Sequence, residues 1–459
     1  MSAPRSLKDW QELDAAHFLH PFSDTKKIAG HGTRLITGAD GIYLQDAAGG
    51  RLLDGMSGLW CVAVGYGRRE LAEAAAWQMN QLPYYNSFFQ CTTEPAIELA
   101  AKLAELTPPQ FRHVFFTGSG SESIDTMIRL VRRYWQLEGQ PQRQVIIGRW
   151  NGYHGSTIAG ASLGGMPWMH EQGLTPLPDF AHIQQPYAFE FAAGRSAEQF
   201  GLAAARELEQ KILEIGPEKV AAFVGEPVQG AGGVIIPPQS YWPEIQRIVD
   251  RYGILLVSDE VICGFGRMGR WFGCEYYGTR PDLMTMAKGL SSGYLPMGGV
   301  MVGDRVANAL IEKGGEFAHG FTYSAHPVCC AVALANLAII ERECLVDHAR
   351  NVAGPYLQQR WAQLADHPLV GEVRGVGMLG ALELVRRKEP RTWFEPRGKV
   401  GERCRDNAIR NGLVMRATRD TMIIAPPLII TTDQIDELID RARRTLDQTW
   451  SELHAEGAL

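Results

Sequence analysis

Apolar runs in the middle of the chain each end at a single polar side chain. One run precedes Glu226, a second precedes Asp259 and a third precedes Lys288. Runs that are apolar throughout, without alternation, are typical of parallel strands covered on both faces. The polar residues lie about 30 residues apart, which is the length of one β-α-β unit. Because the carboxyl ends of parallel strands share one edge of a sheet, we expect these side chains to meet in one crevice.

The rest of the pattern predicts helices around this sheet and a second lobe. Residues 41–54 predict a hairpin around a Gly-Gly turn, and residues 161–193 are predicted to be rich in loops. An apolar strand is predicted to end on Arg416, whose guanidinium could bind a carboxylate or lie at the surface. Residues 335–459 alternate helices with strands, as in a separate α+β lobe. Helices are predicted at 10–19, 69–79, 94–106, 241–252 and 328–342.

Composition and charge point to a small-molecule partner. The chain has 459 residues, 45% of them hydrophobic and 21% charged, with a net charge of −6. This is an ordinary globular composition. Without an excess of basic residues or a basic run, we expect neither nucleic acid nor an anionic membrane as partner.

The cysteines and the termini predict a cytoplasmic protein. Eight cysteines are scattered without a C-x-x-C pair, as expected for reduced thiols, and no metal-ligand spacing is present. The first ten residues lack the apolar core of a secretory signal. The longest apolar run, 328–340, is too short to cross a bilayer.

Lys288 follows an apolar run and precedes a loop of glycine and serine. A lysine placed there is desolvated, so that its amine is unprotonated and free to form a Schiff base. The alternative is a surface lysine beside a turn. The matching positions of Glu226 and Asp259 favour the first interpretation.

The segment 113–124 predicts an anion-binding turn. A strand leads into Gly-Ser-Gly-Ser and then into a helix, so free backbone N–H groups and the positive end of the helix dipole face one point. Ser119 and Ser121 flank Gly120 and add hydroxyl donors. A dinucleotide fingerprint is excluded, because it requires glycine or alanine where Ser123 stands. A plain turn remains the alternative.

Two aromatic residues stand beside glycines in predicted loops. Tyr153 follows the strand at 145–147 and is predicted to stack on a flat ring, whereas the adjacent His154 is interpreted as structural. Trp60 lies in a loop near Gly58, where packing in the core and lining a pocket are both open.

An amine, a carboxylate, an anion-binding turn and a stacking tyrosine are together the parts that hold pyridoxal 5'-phosphate. In that interpretation Asp259 keeps the pyridine nitrogen protonated. Lys288 then moves the substrate Cα proton to the C4′ carbon as general base and acid.

The motifs resemble those of the class III aminotransferases, of PLP fold type I, over nearly the whole chain. Within that family the sequence is most similar to the ω-amine:pyruvate transaminases. The motifs that carry this resemblance are 57–60, 118–122, 149–157, 226–230, 259–267, 287–289 and 319–324.

The resemblance implies a fold and an assembly. A large α/β domain, residues 61–334, would hold a mostly parallel seven-stranded sheet flanked by helices. Residues 1–60 and 335–459 would form a smaller α+β domain. The family implies a homodimer, or a tetramer built from it, with active sites at the subunit interface.

The resemblance also assigns roles to single residues. Thr322 would bind the phosphate in the neighbouring subunit, and Val261 would pack on the ring face opposite Tyr153. Arg416 would bind the carboxylate of the keto acid and swing away for an apolar amine. The implied cofactor contacts are Ser119, Gly120, Ser121, Tyr153, His154, Glu226, Asp259, Val261, Lys288 and Thr322. The implied substrate contacts are Phe22, Leu59, Trp60, Phe88, Tyr153, Ala231 and Arg416.

Two positions depart from relatives. Ala231 stands where enzymes for ornithine or 4-aminobutyrate carry a glutamate that pairs with the arginine, which argues against those substrates. Ile262 replaces a glutamine that some relatives place beside the ring hydroxyl.

The implied activity is transfer of an amino group from a primary amine, ω-amino acid or diamine to pyruvate, giving alanine through pyridoxamine phosphate in a ping-pong cycle. The alternatives are an aminomutase, racemase or decarboxylase on the same fold, or an aminotransferase specific for β-alanine or putrescine. A PLP-binding regulator would require a DNA-binding module, which the sequence does not contain.

Overall fold

The computed structural model describes residues 5–173 and 176–459. Its strands form a seven-stranded sheet in the order β4-β10-β9-β8-β7-β5-β6 and two four-stranded sheets, β1-β2-β3-β13 and β11-β12-β15-β14. The strands are β1 (Ile36–Asp40), β2 (Tyr43–Asp46), β3 (Arg51–Asp54), β4 (Phe111–Thr117), β5 (Val145–Arg149), β6 (Phe180–Ile183), β7 (Val220–Gly225), β8 (Leu255–Asp259), β9 (Leu283–Met286), β10 (Gly298–Gly303), β11 (Val370–Val376), β12 (Leu379–Leu384), β13 (Leu413–Val414), β14 (Arg416–Thr418) and β15 (Thr421–Ile424).

The helices cover the sheets. They are α1 (Leu7–His17), α2 (Thr25–His31), α3 (Ser57–Trp60), α4 (Arg69–Gln81), α5 (Glu94–Leu106), α6 (Gly120–Leu137), α7 (Ile158–Leu163), α8 (Pro167–Glu171), α9 (Ala188–Phe191), α10 (Ala197–Ile215), α11 (Tyr241–Tyr252), α12 (Gly273–Tyr277), α13 (Asp304–Lys313), α14 (Pro327–Arg342), α15 (Leu345–His348), α16 (Gly354–Ala362), α17 (Lys399–Arg410) and α18 (Thr432–Ala455). None of the helices described is long and apolar enough to cross a membrane.

The seven-stranded sheet is mostly parallel, as predicted. Only β10 runs against its neighbours β4 and β9. Both faces of β8 are buried: Leu255 and Val257 pack into the cluster formed with α6 and α13, whereas Leu256 packs into the cluster formed with α10 and α11. Since successive side chains of a strand point to opposite faces, burial on both sides explains the continuous apolar runs.

Two predictions about single elements are wrong. Between its loops, the segment 161–193 contains the end of α7, the short helices α8 and α9 and the edge strand β6, which pairs with β5. Phe180 to His182 are half-buried, so this strand has no continuous apolar run. Arg416 begins β14 rather than ending a strand, because the chain leaves β3 at Val414 and then pairs with β15.

The N-terminal and C-terminal segments meet in one sheet. Strand β13 runs parallel to β3, with Leu413 opposite Leu53. The predicted helix at 10–19 begins earlier, at Leu7, because Ser6 and Asp9 form a capping box. The boundaries of the two domains stay a prediction.

Candidate functional site

The carboxyl edge of the large sheet brings the predicted acids and lysine together. Glu226 directly follows β7, Asp259 is the last residue of β8, and Lys288 comes two residues after β9. The register places Asp259 opposite Thr285. Lys288 lies at a φ of +46°, a left-handed conformation that is uncommon for a side chain with a Cβ. The turn that carries the amine is therefore under local strain.

Asp259 is held in place on both of its oxygens and is only 3% exposed. Oδ1 accepts hydrogen bonds from the Thr285 hydroxyl at 3.1 Å and from the Val261 backbone N–H at 3.1 Å. Oδ2 lies 2.7 Å from Nδ1 of His154, which is also buried. These contacts fix the carboxylate, so His154 has the structural contact expected of it.

Glu226 lies behind this pair and organises two turns. Its carboxylate accepts from the backbone N–H of Gly230 at 2.8 Å and of Tyr153 at 3.3 Å. Burial raises the pKa of Glu226 above its ordinary value, while His154 and Arg149 oppose the shift. Glu226 thereby connects the Tyr153 loop to the turn that contains Ala231.

Arg149 is a buried residue whose role the sequence did not reveal. Its guanidinium donates to the backbone oxygen of Glu226 and lies 5.3 Å from the ring centre of Trp242. Within residues 5–173 and 176–459, its Nε and Nη1 have no hydrogen-bond partner. The only available signal in the sequence was its position at the end of the apolar strand that begins at residue 145.

The Lys288 amine faces Trp60. Its Nζ lies 5.7 Å from the centre of the indole ring. Burial lowers the pKa of Lys288 below its ordinary value, against the opposing effects of Cys61, Asp259 and Glu226. The amine therefore deprotonates more readily than that of a surface lysine, as the sequence predicts.

Trp60 packs in the core, which is one of the two roles that the sequence left open. Its side chain is 3% exposed and belongs to a core cluster. The Lys288 Nζ lies 5.7 Å and the guanidinium carbon of Arg416 lies 4.9 Å from the centre of its ring. The buried indole is therefore close to both side chains, and its role in lining a pocket stays a prediction.

Arg416 forms no salt bridge with a carboxylate among the residues described. Burial lowers the pKa of its guanidinium below the ordinary value. A buried guanidinium without a counter-ion is a preorganised binding group for a ligand carboxylate.

The start of α6 has the order of strand, turn and helix that the sequence predicts, and anion binding there stays a prediction. The Ser119 hydroxyl caps the helix by accepting from the Glu122 N–H, and the Ser121 hydroxyl accepts from the Ser156 N–H at 3.2 Å. In the part of the chain that the structure describes, the backbone N–H groups of Gly120 and Ser121 have no acceptor. The Glu122 carboxylate accepts from the N–H of Gly118, which lies two positions before Gly120.

Val261 lies against this turn. A Cβ added at Gly120 would stand 3.2 Å from a methyl group of Val261. Glycine at position 120 therefore lets the helix start and the valine approach each other closely. Val261 lies two positions after Asp259. The contact with Gly120 therefore brings the start of α6 close to the end of β8.

The other predicted substrate residues differ in exposure. Phe22 is 67% exposed and lies 6.4 Å from Tyr153 and 5.7 Å from Trp168, measured between ring centres. Leu59 is 54% exposed, next to the buried Trp60. Sequence reasoning missed Trp168, which belongs to the short helix α8 within the segment predicted as loop.

Phe88 and Thr322 belong to two segments of the chain that contact each other. The Tyr84 hydroxyl donates to the Thr322 carbonyl at 2.7 Å, and the Phe88 ring packs against Gly320. No hydrogen bond or ring contact among the described residues joins them to Lys288. Their predicted roles stay a prediction.

Ala231 belongs to a tight turn, residues 230–234, in which glycine is required at two positions. A Cβ at Gly230 would stand 2.5 Å from Cδ1 of Ile262, and a Cβ at Gly232 would stand 2.4 Å from the Asn151 backbone oxygen. Ile262 therefore fills the space beneath the turn. Ala231 itself is buried.

These residues fit pyridoxal phosphate by the chemistry of their groups. The two unpaired N–H groups at the start of α6 suit a phosphate. Asp259 offers a fixed carboxylate for a protonated ring nitrogen, and Lys288 offers an amine of lowered pKa for the aldehyde. No group of His, Cys, Asp and Glu suited to a metal ion occurs among residues 5–173 and 176–459.

Comparisons with known proteins agree with this geometry. The family model described as Aminotransferase class-III matches residues 27–446. The putrescine–pyruvate aminotransferase of Pseudomonas aeruginosa is 57% identical over 442 residues, 96% of each chain. An (S)-enantioselective omega-transaminase from Thermomicrobium roseum is 44% identical with a TM-score of 0.94, over 98% of this chain and 100% of that one. The omega transaminase of Pseudomonas jessenii, solved in complex with PMP, is 42% identical with a TM-score of 0.95, over 97% and 99%.

Proposed function

Because this chain belongs to the class III aminotransferase family, whose members use pyridoxal phosphate, we propose that it transfers an amino group from a diamine such as putrescine to pyruvate. The fold is that of PLP fold type I. The observation that carries the proposal is that the Lys288 amine and the Arg416 guanidinium both lie close to the Trp60 ring, at 5.7 Å and 4.9 Å from its centre.

Pyridoxal phosphate, when bound, supplies a carbonyl for the substrate amine and a ring that withdraws electrons from the substrate Cα. The chain supplies the rest. Ser119, Gly120 and Ser121 would bind the phosphate, and Tyr153 and Val261 would flank the ring. Asp259 would favour a protonated ring nitrogen, because a fixed carboxylate favours the charged form of its partner. The Lys288 amine would accept the proton from the substrate Cα as general base and donate it again as general acid.

The two substrates differ in what they require from the pocket. Pyruvate presents a carboxylate, and Arg416 is placed to bind it with two hydrogen bonds. A diamine presents an apolar chain with a distal ammonium, and aromatic rings such as Trp60, Tyr153 and Phe22 attract cations. Ala231 leaves Arg416 without the glutamate partner that relatives for 4-aminobutyrate carry. These features support a diamine as amino donor and pyruvate as acceptor over an amino acid as donor.

The cofactor absorbance of the purified holoenzyme tests this function. We expect putrescine to remove the absorbance near roughly 400 nm and pyruvate to restore it, whereas 2-oxoglutarate should restore it at least about 10-fold more slowly. The slower return follows because its second carboxylate has no cation assigned to it in the site. Faster recovery with 2-oxoglutarate would contradict the choice of pyruvate.

The same measurement separates the other reaction classes. An aminomutase, racemase or decarboxylase of the same fold regenerates its cofactor without a keto acid. Return of the absorbance after amine alone would therefore reject transamination. With β-alanine as donor, a rate above that with putrescine would identify an ω-amino acid enzyme instead.

We also propose a homodimer in which Phe88 and Thr322 complete the neighbouring site. Their surface carries large exposed apolar side chains, including Phe89 at 87% and Tyr323 at 65% exposure. Exposed apolar patches of this kind are typical of subunit interfaces. Sedimentation equilibrium should give twice the 50.7 kDa chain mass, or four times for a tetramer. A monomer with full activity would contradict the shared site.

A cytoplasmic location is part of the same proposal. All eight cysteines are free thiols. Free thiols are the usual state in a reducing compartment.

A further inference from the structure

The turn 230–234, which carries Ala231, has a backbone that needs external support. Val234 has a φ of +53° and Gly233 a φ of +124°. A β-branched residue in the left-handed region is strained, so the surrounding contacts must hold it there. The carbonyl groups of the turn receive donors from several elements outside it. Asn151 donates to the Gly232 oxygen at 2.7 Å, for example.

Arg374 of β11 supplies the largest share of this support. Its Nε donates to the carbonyl oxygens of Gly233 and Val234, both at 3.1 Å, and its Nη2 donates to Gly233 at 2.6 Å. The side chain is 9% exposed. Its charge is balanced by Glu372 at 2.7 Å and Glu383 at 3.2 Å. Arg374, which belongs to the C-terminal part of the chain, thus stabilises the turn 230–234, whose first residue, Gly230, donates to Glu226.

The same network also contacts the turn through β14, the strand that begins at Arg416. The Thr421 hydroxyl donates to Glu383 at 2.6 Å, and Thr421 of β15 is the register partner of Thr418 of β14. The Thr418 hydroxyl in turn donates to the Ala231 oxygen at 3.2 Å. Arg374, Glu383, Thr421 and Thr418 therefore form a closed ring of contacts with the turn, which we call the cross-lobe ring.

Arg416 stands two residues before Thr418, at the start of the same short strand. Its backbone is thereby fixed relative to Ala231 through the Thr418 hydroxyl, and Ala231 is fixed relative to Glu226 through the Gly230 N–H. The carboxylate-binding guanidinium and the acids at the sheet edge belong to one connected frame.

We propose that Thr418 and Arg374 are positioning residues for the keto acid. They hold Arg416 at the distance from Lys288 at which a bound carboxylate presents its neighbouring carbonyl carbon to the site. This inference rests on the proposed function, in which Arg416 binds that carboxylate. An apolar amine does not use Arg416, so its half-reaction does not depend on the cross-lobe ring.

The Thr418→Val variant tests the proposal, because valine keeps the shape and the strand preference of threonine but removes the donor. We expect KM for pyruvate to rise about 10-fold, since small displacements of a positioning group are costly. The single-turnover rate with 1-phenylethylamine should change less than about 2-fold. A purely structural role would move both half-reactions together.

Three further variants make the test specific. Thr418→Ser restores a hydroxyl donor and should return KM for pyruvate to within about 2-fold of the original. Thr445→Val is the matched control, because Thr445 is a buried threonine of α18 whose hydroxyl, among the residues described, donates only to the Arg441 carbonyl in its own helix. It should leave both half-reactions unchanged. Arg374→Lys keeps the charge but loses the forked donors and should raise KM for pyruvate at least as much as Thr418→Val.

Arg416→Ala separates the carboxylate contact itself from the positioning role of Thr418 and Arg374. If Arg416→Ala raises KM for pyruvate and Thr418→Val does not, the positioning role is wrong and the proposed function stands. If Arg416→Ala leaves KM for pyruvate unchanged, the carboxylate contact assigned to Arg416 is wrong, and the positioning role falls with it. Equal losses in both half-reactions of Thr418→Val overturn the positioning role and indicate a general packing defect.

Discussion

Replacing Lys288 by alanine should lower kcat by at least about 1,000-fold, which lies within the range expected for loss of a positioned acid-base group. The amine lies at the centre of the site, 5.7 Å from the Trp60 ring, and burial lowers its pKa. No other lysine of the described chain belongs to the edge where Glu226 and Asp259 meet, so no neighbour can take over proton transfer from the substrate Cα. Steady-state turnover of putrescine and pyruvate measures the loss.

Two controls accompany this variant. Lys313→Ala removes an exposed lysine of α13 that pairs with Glu138, and it should leave turnover unchanged. Adding methylamine to Lys288→Ala supplies an external base and should recover a small part of the lost rate. Turnover by Lys288→Ala within about 10-fold of the original would place the proton transfer on another residue.

Replacing Asp259 by asparagine should lower kcat/KM by about 100- to 1,000-fold, the effect of removing one preorganised electrostatic group. Asparagine keeps the size of the side chain and can still accept from Thr285 and Val261. It is neutral, however, and cannot stabilise a proton on the ring nitrogen of the cofactor. The electron-withdrawing ability of the ring then falls, and proton removal from the substrate slows.

Asp282→Asn is the matched control for Asp259. Asp282 is also largely buried, and it accepts from the Leu256 N–H at 2.9 Å, but it lies at the opposite end of the same sheet. This variant should reduce thermal stability and leave kcat/KM within about 2-fold. If both variants lose activity equally, the effect of Asp259→Asn reflects damage to the sheet rather than the lost charge.

The sequence was sufficient to predict that the acids and the lysine meet, because parallel strands buried on both faces are apolar throughout and are easily recognised. Glu226, Asp259 and Lys288 each follow such a strand, and the structure brings them to one edge. The start of α6 was predictable for a similar reason, since strand, glycine and serine, and helix follow one another directly in the chain.

The sequence was insufficient where partners are distant in the chain. Arg374 lies about 140 positions from the carbonyl groups it binds, and nothing in its own segment indicates them. Strand β14 is three residues long, and its start at Arg416 depends on pairing with β15. Edge strand β6 has half-buried residues, so its pattern resembles a loop. These features depend on tertiary contacts that local patterns do not encode.

The tight fit of the turn 230–234 restricts how the pocket can be redesigned. Side chains at positions 230 and 232 would collide with Ile262 and with the Asn151 backbone, so substitutions there should yield poorly folded protein rather than new specificity. Position 231 already carries a Cβ and adjoins the strand of Arg416. Ala231 is buried in the same turn, so mutant libraries for bulkier amines are best directed to the exposed Phe22 and Leu59, which take no part in the cross-lobe ring.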